Sequence, residues 1–296
     1  MTGLQVENTI DLHCHFSPDH LGGKALEKGL DCRTGMSPVE SAKEAIASGQ
    51  TGAVLKSHSF ATPALADALG RLFPDFRAFG GICTDYISGG LNIHAVEAAL
   101  IMGAKIVWLP TLNSANDHAG ANVCEFDGPG ISLIDDDGRL IDAVHQIFAL
   151  VREYNAILAT GHISATEHYA VVREFDRRGK VIVTHAGEKG GGPNLSSDQC
   201  VELADLGAVI EFCAHACDDA FGRIGRTPLE IAERVHRAGA HRCVLSTDYG
   251  FMKEVPAPIT GFRNFLERMW SEGGISEDDL AQMASRNPAE LLNIEV

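Results

Sequence analysis

The chain has 296 residues with 24 basic and 40 acidic side chains, which gives a formal net charge of −16. That balance argues against nucleic acids and anionic membrane surfaces as partners, because both bind basic surfaces. A hydrophobic share of 45% and a charged share of 22% are ordinary for a globular protein, so long disordered segments are not expected.

Apolar runs and cysteine usage predict a globular cytoplasmic protein. No run approaches the ~18–20 apolar residues of a membrane span, and Met1–Asn8 lack the basic and apolar stretches of a signal sequence. The eight cysteines contain no CxxC pair, which favours a reduced intracellular protein. The expected partner is a small-molecule substrate, with neither nucleic acid nor membrane, and the sequence leaves homo-oligomer formation open.

Eight short runs rich in β-branched residues alternate with segments of helical periodicity. Ser37, Thr62 and Thr227 each precede a proline and are expected to cap a helix. The predicted strands are Thr9–His15, Ala53–His58, Ala78–Cys83, Lys105–Pro110, Ala156–Gly161, Val181–His185, Ala208–Cys213 and Cys243–Asp248.

This alternation predicts a parallel sheet covered by helices, and eight units fit a single-domain (β/α)8 TIM barrel over residues 1–296. An open doubly wound sheet is the alternative, but no GxGxxG follows the first strand, where a dinucleotide-binding fold would carry it.

Two connections are longer than an ordinary βα loop. One runs from Thr111 to Arg139 and contains a hairpin-like turn at 135–138, and the other runs from Tyr249 to Ile259. Both would reach the C-terminal face of a barrel, where active sites lie, so we expect them to shape a pocket.

Two histidines end the first predicted strand. Because side chains two residues apart on a strand point the same way, His13 and His15 are expected to face the barrel interior, while Cys14 faces the helices. Two imidazoles on one face suit a transition metal.

Metal-capable side chains also end four later strands. His58 ends strand two, His162 follows strand five, His185 ends strand six and Asp248 ends strand eight. The ends of parallel barrel strands meet at one face, so these residues are expected to lie together and form a functional site.

The order HxH on strand one, His on strands five and six, and Asp on strand eight resembles the amidohydrolase superfamily of metal-dependent hydrolases, over nearly the whole chain. The last helical segment, Asn287–Leu292, is similar to the closing helix of many members. The resemblance implies that His13, His15 and Asp248 bind one metal. It also implies that His162 and His185 bind a second metal or help to polarise the substrate. The expected ion is zinc, one or two per chain, with manganese, iron or cobalt as substitutes.

One lysine departs from the pattern of that superfamily, in which binuclear members commonly use a carbamylated lysine from strand four. Here the strand-four lysine, Lys105, stands at the wrong end of its strand, whereas Lys56 stands at the right end of strand two. Lys56 is therefore expected either to be carbamylated and bridge two metals, or to stay an ammonium that binds a substrate carboxylate or oxyanion.

Several further residues at or beyond strand ends are expected to line the pocket. We assign substrate binding to His58, Asn113, Glu188 and Tyr249, and note as further lining residues His118, Lys189, Glu211 and His215.

These features predict an enzyme that uses a metal-activated water to open a small amide, a cyclic amide or imide, or a lactone, with Asp248 moving the proton. One alternative is a mononuclear decarboxylase or hydro-lyase of the same superfamily. A second alternative is a catalytically silent metal-binding barrel.

Overall fold

Eight parallel strands form one sheet in which each strand pairs with the next along the chain. The computed structural model describes residues 6–20, 26–27, 29, 31–119, 128–176, 180–189, 192–217 and 225–295. The strands are β1 (Ile10–Cys14), β2 (Gly52–Leu55), β3 (Arg77–Cys83), β4 (Ala104–Trp108), β5 (Ile157–Ala159), β6 (Val181–Val183), β7 (Val209–Cys213) and β8 (Cys243–Ser246).

Backbone hydrogen bonds at the C-terminal ends of β1 and β8 close this sheet into a barrel. The amide of Asp248 donates to the carbonyl of His13 at 2.8 Å, and the amide of His15 donates to the carbonyl of Tyr249 at 2.9 Å. The last strand therefore lies beside the first, which confirms the predicted (β/α)8 fold.

Helices occupy the connections between strands. Two expected caps are confirmed, since the Ser37 and Thr227 side chains each accept a hydrogen bond from the third residue of the helix that follows. Thr62 differs, because its hydroxyl donates to the carbonyl of Leu55 at 2.6 Å and so ties the helix to the end of β2. The helices are α1 (Pro38–Ala47), α2 (Pro63–Leu72), α3 (Ile93–Ile101), α4 (Ala115–Ala119), α5 (Asp142–Glu153), α6 (Ala165–Phe175), α7 (Ser197–Asp205), α8 (Pro228–Ala238), α9 (Pro258–Ser271), α10 (Glu277–Ala281) and α11 (Asn287–Leu292).

The register between β1 and β2 is irregular next to the first histidine. The chain advances three residues from Asp11 to Cys14 while β2 advances two, from Ala53 to Leu55. Such a bulge re-aims the side chains around it. Leu12 consequently packs in the barrel interior, and the adjacent His13 also faces inward.

The barrel interior is apolar towards one end and polar towards the other. Strand residues such as Ile10 and Val244 pack there together with Leu291 and Leu292 of α11, which cover the N-terminal end. The C-terminal ends carry buried polar side chains such as His13, Lys56 and His185, so the fold brings the predicted site residues to one face.

The long connection after β4 contains the predicted hairpin-like turn. Ile134 pairs with Leu140 in an antiparallel bridge, and the amide of Asp135 donates to the carbonyl of Arg139 at 2.9 Å. Residues 120–127 of this connection lie outside the described residues. Among the helices that are described, none is both long and apolar enough to cross a membrane.

Candidate metal centre

Two histidines from β1 and its end converge on one carboxylate oxygen after β8. Nε2 of His13 lies 2.9 Å from Oδ1 of Asp248, and Nε2 of His15 lies 3.1 Å from the same oxygen. Both imidazoles are buried, whereas the Asp248 side chain is 13% exposed. Three ligand-type side chains thus meet at a point that solvent reaches.

The strand-five and strand-six histidines lie against this group. The ring centroids of His13 and His185 are 5.6 Å apart, and those of His162 and His185 are 4.6 Å apart. Ligand atoms of His13, His185 and Asp248 all lie within 4.8 Å of one another. The structure therefore brings together the histidines and the aspartate to which the sequence assigned metal binding, and their role as ligands stays a prediction.

A carboxylate lies beside the Nδ1 atom of each histidine in the group. Such carboxylates orient metal-binding imidazoles and fix which nitrogen carries the proton. The pairs are His13–Glu211 at 3.1 Å, His15–Asp19 at 3.4 Å, His162–Asp117 at 2.5 Å and His185–Glu188 at 3.5 Å.

Buried ring nitrogens show that the group suits a metal ion. Nε2 of His162 and Nε2 of His185 are buried and have no hydrogen-bond partner among the described residues. An unsatisfied buried polar atom costs about 1–3 kcal/mol, which coordination would recover. Burial lowers the pKa of His185 to about 3, so its imidazole is neutral, the state that binds metals. With Asp248, these residues form a nitrogen and oxygen donor set that fits zinc or a similar divalent ion.

The carboxylates favour positive charge at the centre of the group. Burial and the neighbouring Lys56 oppose protonation of His13, but Asp248 and Glu211 raise its pKa to about 9. Burial acts to raise the pKa of Asp248, yet His13, His15 and Lys56 together hold it well below its usual value. Asp248 is therefore an anion at neutral pH.

Two of these residues have backbones in the left-handed region, which few non-glycine residues adopt. His185 has φ 24° and Asp248 has φ 58°. Gly161, before His162, has φ 66°, and a Cβ there would lie 2.3 Å from the carbonyl oxygen of Leu109. Strained backbone of this kind clusters at functional sites.

Lys56 lies within the group. Its Nζ is 2.7 Å from Nε2 of His13, and the residue is 1% exposed. Lys105, in contrast, is exposed near the start of β4. An ammonium at Lys56 would compete with a metal ion for the space beside Nε2 of His13, whereas a carbamate would add a ligand. Carbamylation stays a prediction.

Two of the four residues expected to bind substrate contact the group. The ring of His58 stacks on that of His15 with centroids 5.0 Å apart, and its Nδ1 lies 2.7 Å from Oγ1 of Thr111. Glu188 lies between His185 and His215, with a 3.5 Å contact to an Nδ1 atom of each.

The other two make contacts beside the group. The amide oxygen of Asn113 accepts a hydrogen bond from the backbone N–H of Tyr86 at 2.9 Å. The ring of Tyr249 lies 6.0 Å from that of His215 and packs against Gly261, where a Cβ would come within 2.3 Å of it. Substrate binding by all four residues stays a prediction.

Three carboxylates beside the histidines were not predicted from the sequence: Asp19, Asp85 and Asp117. Glu211 was predicted only to line the pocket. Asp85 faces Nδ1 of His58 at 3.3 Å and follows β3, so the strand-end rule would have found it. Asp19 lies in the loop after β1 and Asp117 lies in the short helix α4. Neither position is marked by a strand end or a periodic pattern, and only their three-dimensional contacts distinguish them.

Comparisons with known proteins agree with this fold. The amidohydrolase from Pseudomonas aeruginosa matches with a TM-score of 0.63 at 15% identity over 98% of both chains. A metallo peptidase from Rhodobacter sphaeroides, liganded with a phosphinate mimic of the dipeptide L-Ala-D-Ala, matches at 0.60 with 13% identity over 97% of this chain and 99% of its own. The 2,6-dihydroxybenzoate decarboxylase from Rhizobium matches at 0.60 with 12% identity over 97% and 99%.

Sequence comparisons define the family. No curated protein matches the sequence at a significant level. The profile of a family of unknown function (DUF6282) matches residues 8–211. The chain therefore belongs to this family of unknown function, DUF6282, and its barrel has the fold of the amidohydrolase superfamily.

Proposed function

We propose that this protein is a metal-dependent hydrolase that opens a small amide, a cyclic amide or imide, or a lactone. The observation that carries the proposal is the convergence of His13 Nε2 and His15 Nε2 on Oδ1 of Asp248, at 2.9 and 3.1 Å. Three ligands from neighbouring strands form an open site of the kind that catalytic zinc ions occupy.

The side chains of this group have two roles, metal binding and proton transfer. His13, His15 and Asp248 would hold one ion, with His162 and His185 as further ligands or as groups that polarise the substrate carbonyl. A bound divalent ion supplies Lewis acidity, which lowers the pKa of water from about 15.7 towards 7. Asp248, an anion with 13% of its side chain exposed, accepts the proton of the attacking water and passes it to the leaving group.

The second candidate is a mononuclear decarboxylase or hydro-lyase. It is favoured by Lys56, whose buried Nζ lies 2.7 Å from His13 and could bind a substrate carboxylate as an ammonium. The Rhizobium decarboxylase also matches this fold as well as the metallo peptidase does, with a TM-score of 0.60 for each. Fold similarity at this level of identity does not choose between the two reactions.

The test combines metal analysis with a substrate panel. Protein purified without chelator is analysed for zinc, manganese, iron and cobalt, and then assayed with dipeptides, cyclic imides, lactones and hydroxybenzoates. A hydrolytic product that disappears with chelator and returns with zinc supports the first candidate, and release of carbon dioxide supports the second. A metal content near zero that added ions do not raise contradicts both, and metal without any turnover favours a silent barrel.

A further inference from the structure

Glu188 and His215 form a second group of ligand atoms with Asp248. One atom from each of the three side chains lies within 4.8 Å of the others. Glu188 follows β6, and His215 lies in the 3-10 turn Ala214–Cys217 after β7, so neighbouring βα connections supply them. Glu188 is 5% exposed and His215 is 7% exposed, and both are therefore largely shielded from water.

The spacing within this group matches that of ligands around one ion. Oε1 of Glu188 lies 3.5 Å from Nδ1 of His215, which is long for a hydrogen bond. Two ligands bound at 2.0–2.1 Å with a tetrahedral angle between them are about 3.4 Å apart. The pair is therefore already at the separation that a shared zinc ion requires.

The two carboxylates connect this group to the first one. Oε2 of Glu188 lies 3.5 Å from Nδ1 of His185, and Asp248 contributes to both groups. A carboxylate that is shared between two neighbouring sets of ligand atoms is typical of two-metal sites. The two ions of such sites stand about 3.5–4 Å apart.

We infer that Glu188, His215 and Asp248 hold a second divalent ion of the zinc or manganese type. This site lies on the β6 and β7 side of the barrel mouth, and it does not need Lys56 as a bridge. The inference rests on the proposed metal-dependent function, because Asp248 is also a ligand of the first ion.

The first experiment counts bound ions in His215→Ala. Metal-depleted full-length protein is titrated with Zn²⁺ alone, and bound zinc is measured after gel filtration. Wild type and the control His236→Ala, which removes an exposed histidine on α8, are expected to bind two ions per chain. His215→Ala is expected to bind one ion. In the metal-free state, its thermal midpoint is expected to equal that of metal-free wild type. Two ions in His215→Ala, or one ion in wild type, would overturn the inference.

A second measurement does not depend on the folding of a variant. Anomalous diffraction at the zinc edge from wild-type crystals should show one peak beside His13 and His15 and another between Glu188 and His215. A single peak beside His13, or a second peak between His162 and Lys56, overturns the inference and leaves the proposed function intact. No zinc peak overturns both.

Discussion

Nδ1 of His162 lies 2.5 Å from Oδ2 of Asp117, although 45 residues separate the two along the chain. Ser114 connects them, because its hydroxyl donates to the carbonyl of His162 at 3.0 Å and accepts from the amide of Asp117 at 3.1 Å. Asp117 thereby holds the proton of His162 on Nδ1 and leaves the lone pair on Nε2 for a ligand.

Asp117→Ala should weaken zinc binding about 10- to 100-fold, since partners of this kind typically contribute that much to metal affinity. Asp117→Asn keeps a hydrogen-bond acceptor but loses the charge. Its zinc affinity should therefore lie between those of Asp117→Ala and wild type. Affinity is measured by competition with a chromophoric chelator. Asp136→Asn, at an exposed position in the hairpin-like turn, is the matched control. Wild-type affinity in Asp117→Ala would show that His162 does not bind the ion.

Asp248→Asn should lower turnover by several orders of magnitude and leave the fold intact. The amide has nearly the same shape as the carboxylate, but it neither accepts the proton nor binds a cation as an anion does. Rate and thermal midpoint are measured on the same metal-free and zinc-loaded samples. A purely structural Asp248 would instead lower the midpoint, and ordinary turnover in the variant would exclude it as the base.

Lys56→Ala tests the carbamate. A carbamate ligand predicts that the variant binds about one ion fewer per chain, and that short carboxylic acids such as acetate partly restore the loss. An ammonium beside a divalent ion would cost several kcal/mol at an effective dielectric of about 20. Lys56 in its ammonium form therefore disfavours a metal ion close to its Nζ. Lys105→Ala, at an exposed position on β4, controls for the loss of a lysine. Full metal content with weaker substrate binding would assign Lys56 to the substrate instead.

The titration of His13 should make the metal-free protein lose stability as the pH rises from about 7.5 to about 8.5, by about 1 kcal/mol per pH unit. The folded pKa of His13, about 9, lies above its unfolded value of 6.5, so the folded state binds the extra proton. The stabilisation is complete below the unfolded pKa and disappears as the pH passes the folded one. Burial lowers the pKa values of His58 and His185 to about 4 and about 3, so they stay neutral in this range.

Urea denaturation at several pH values measures this loss, with His13→Gln as the comparison. Wild-type stability that does not change over the range, or that rises, would contradict the charge assigned to His13. Zinc should remove the part of the dependence that His13→Gln also removes, because the ion takes the place of the proton on His13.

Local patterns in the sequence were sufficient to predict the barrel. β-Branched runs marked all eight strands to within a few residues, and the caps at Ser37 and Thr227 marked helix starts, because strand alternation and capping depend on neighbours along the chain. Thr62 was also expected to cap a helix, and it does not. Its hydroxyl bonds to β2 rather than to its own helix, and that choice depends on a strand end next to it in space.

The chain order of His13, His15, His162, His185 and Asp248 indicated the candidate site, because parallel strands in a barrel all end at one face. Only the tertiary structure decided what surrounds these residues. The bulge in β1 that turns His13 inward arises from its pairing with β2, and Asp117 reaches His162 through packing between two connections. Which carboxylate faces which imidazole is a matter of distances between residues far apart in sequence, and no local periodicity carries that information.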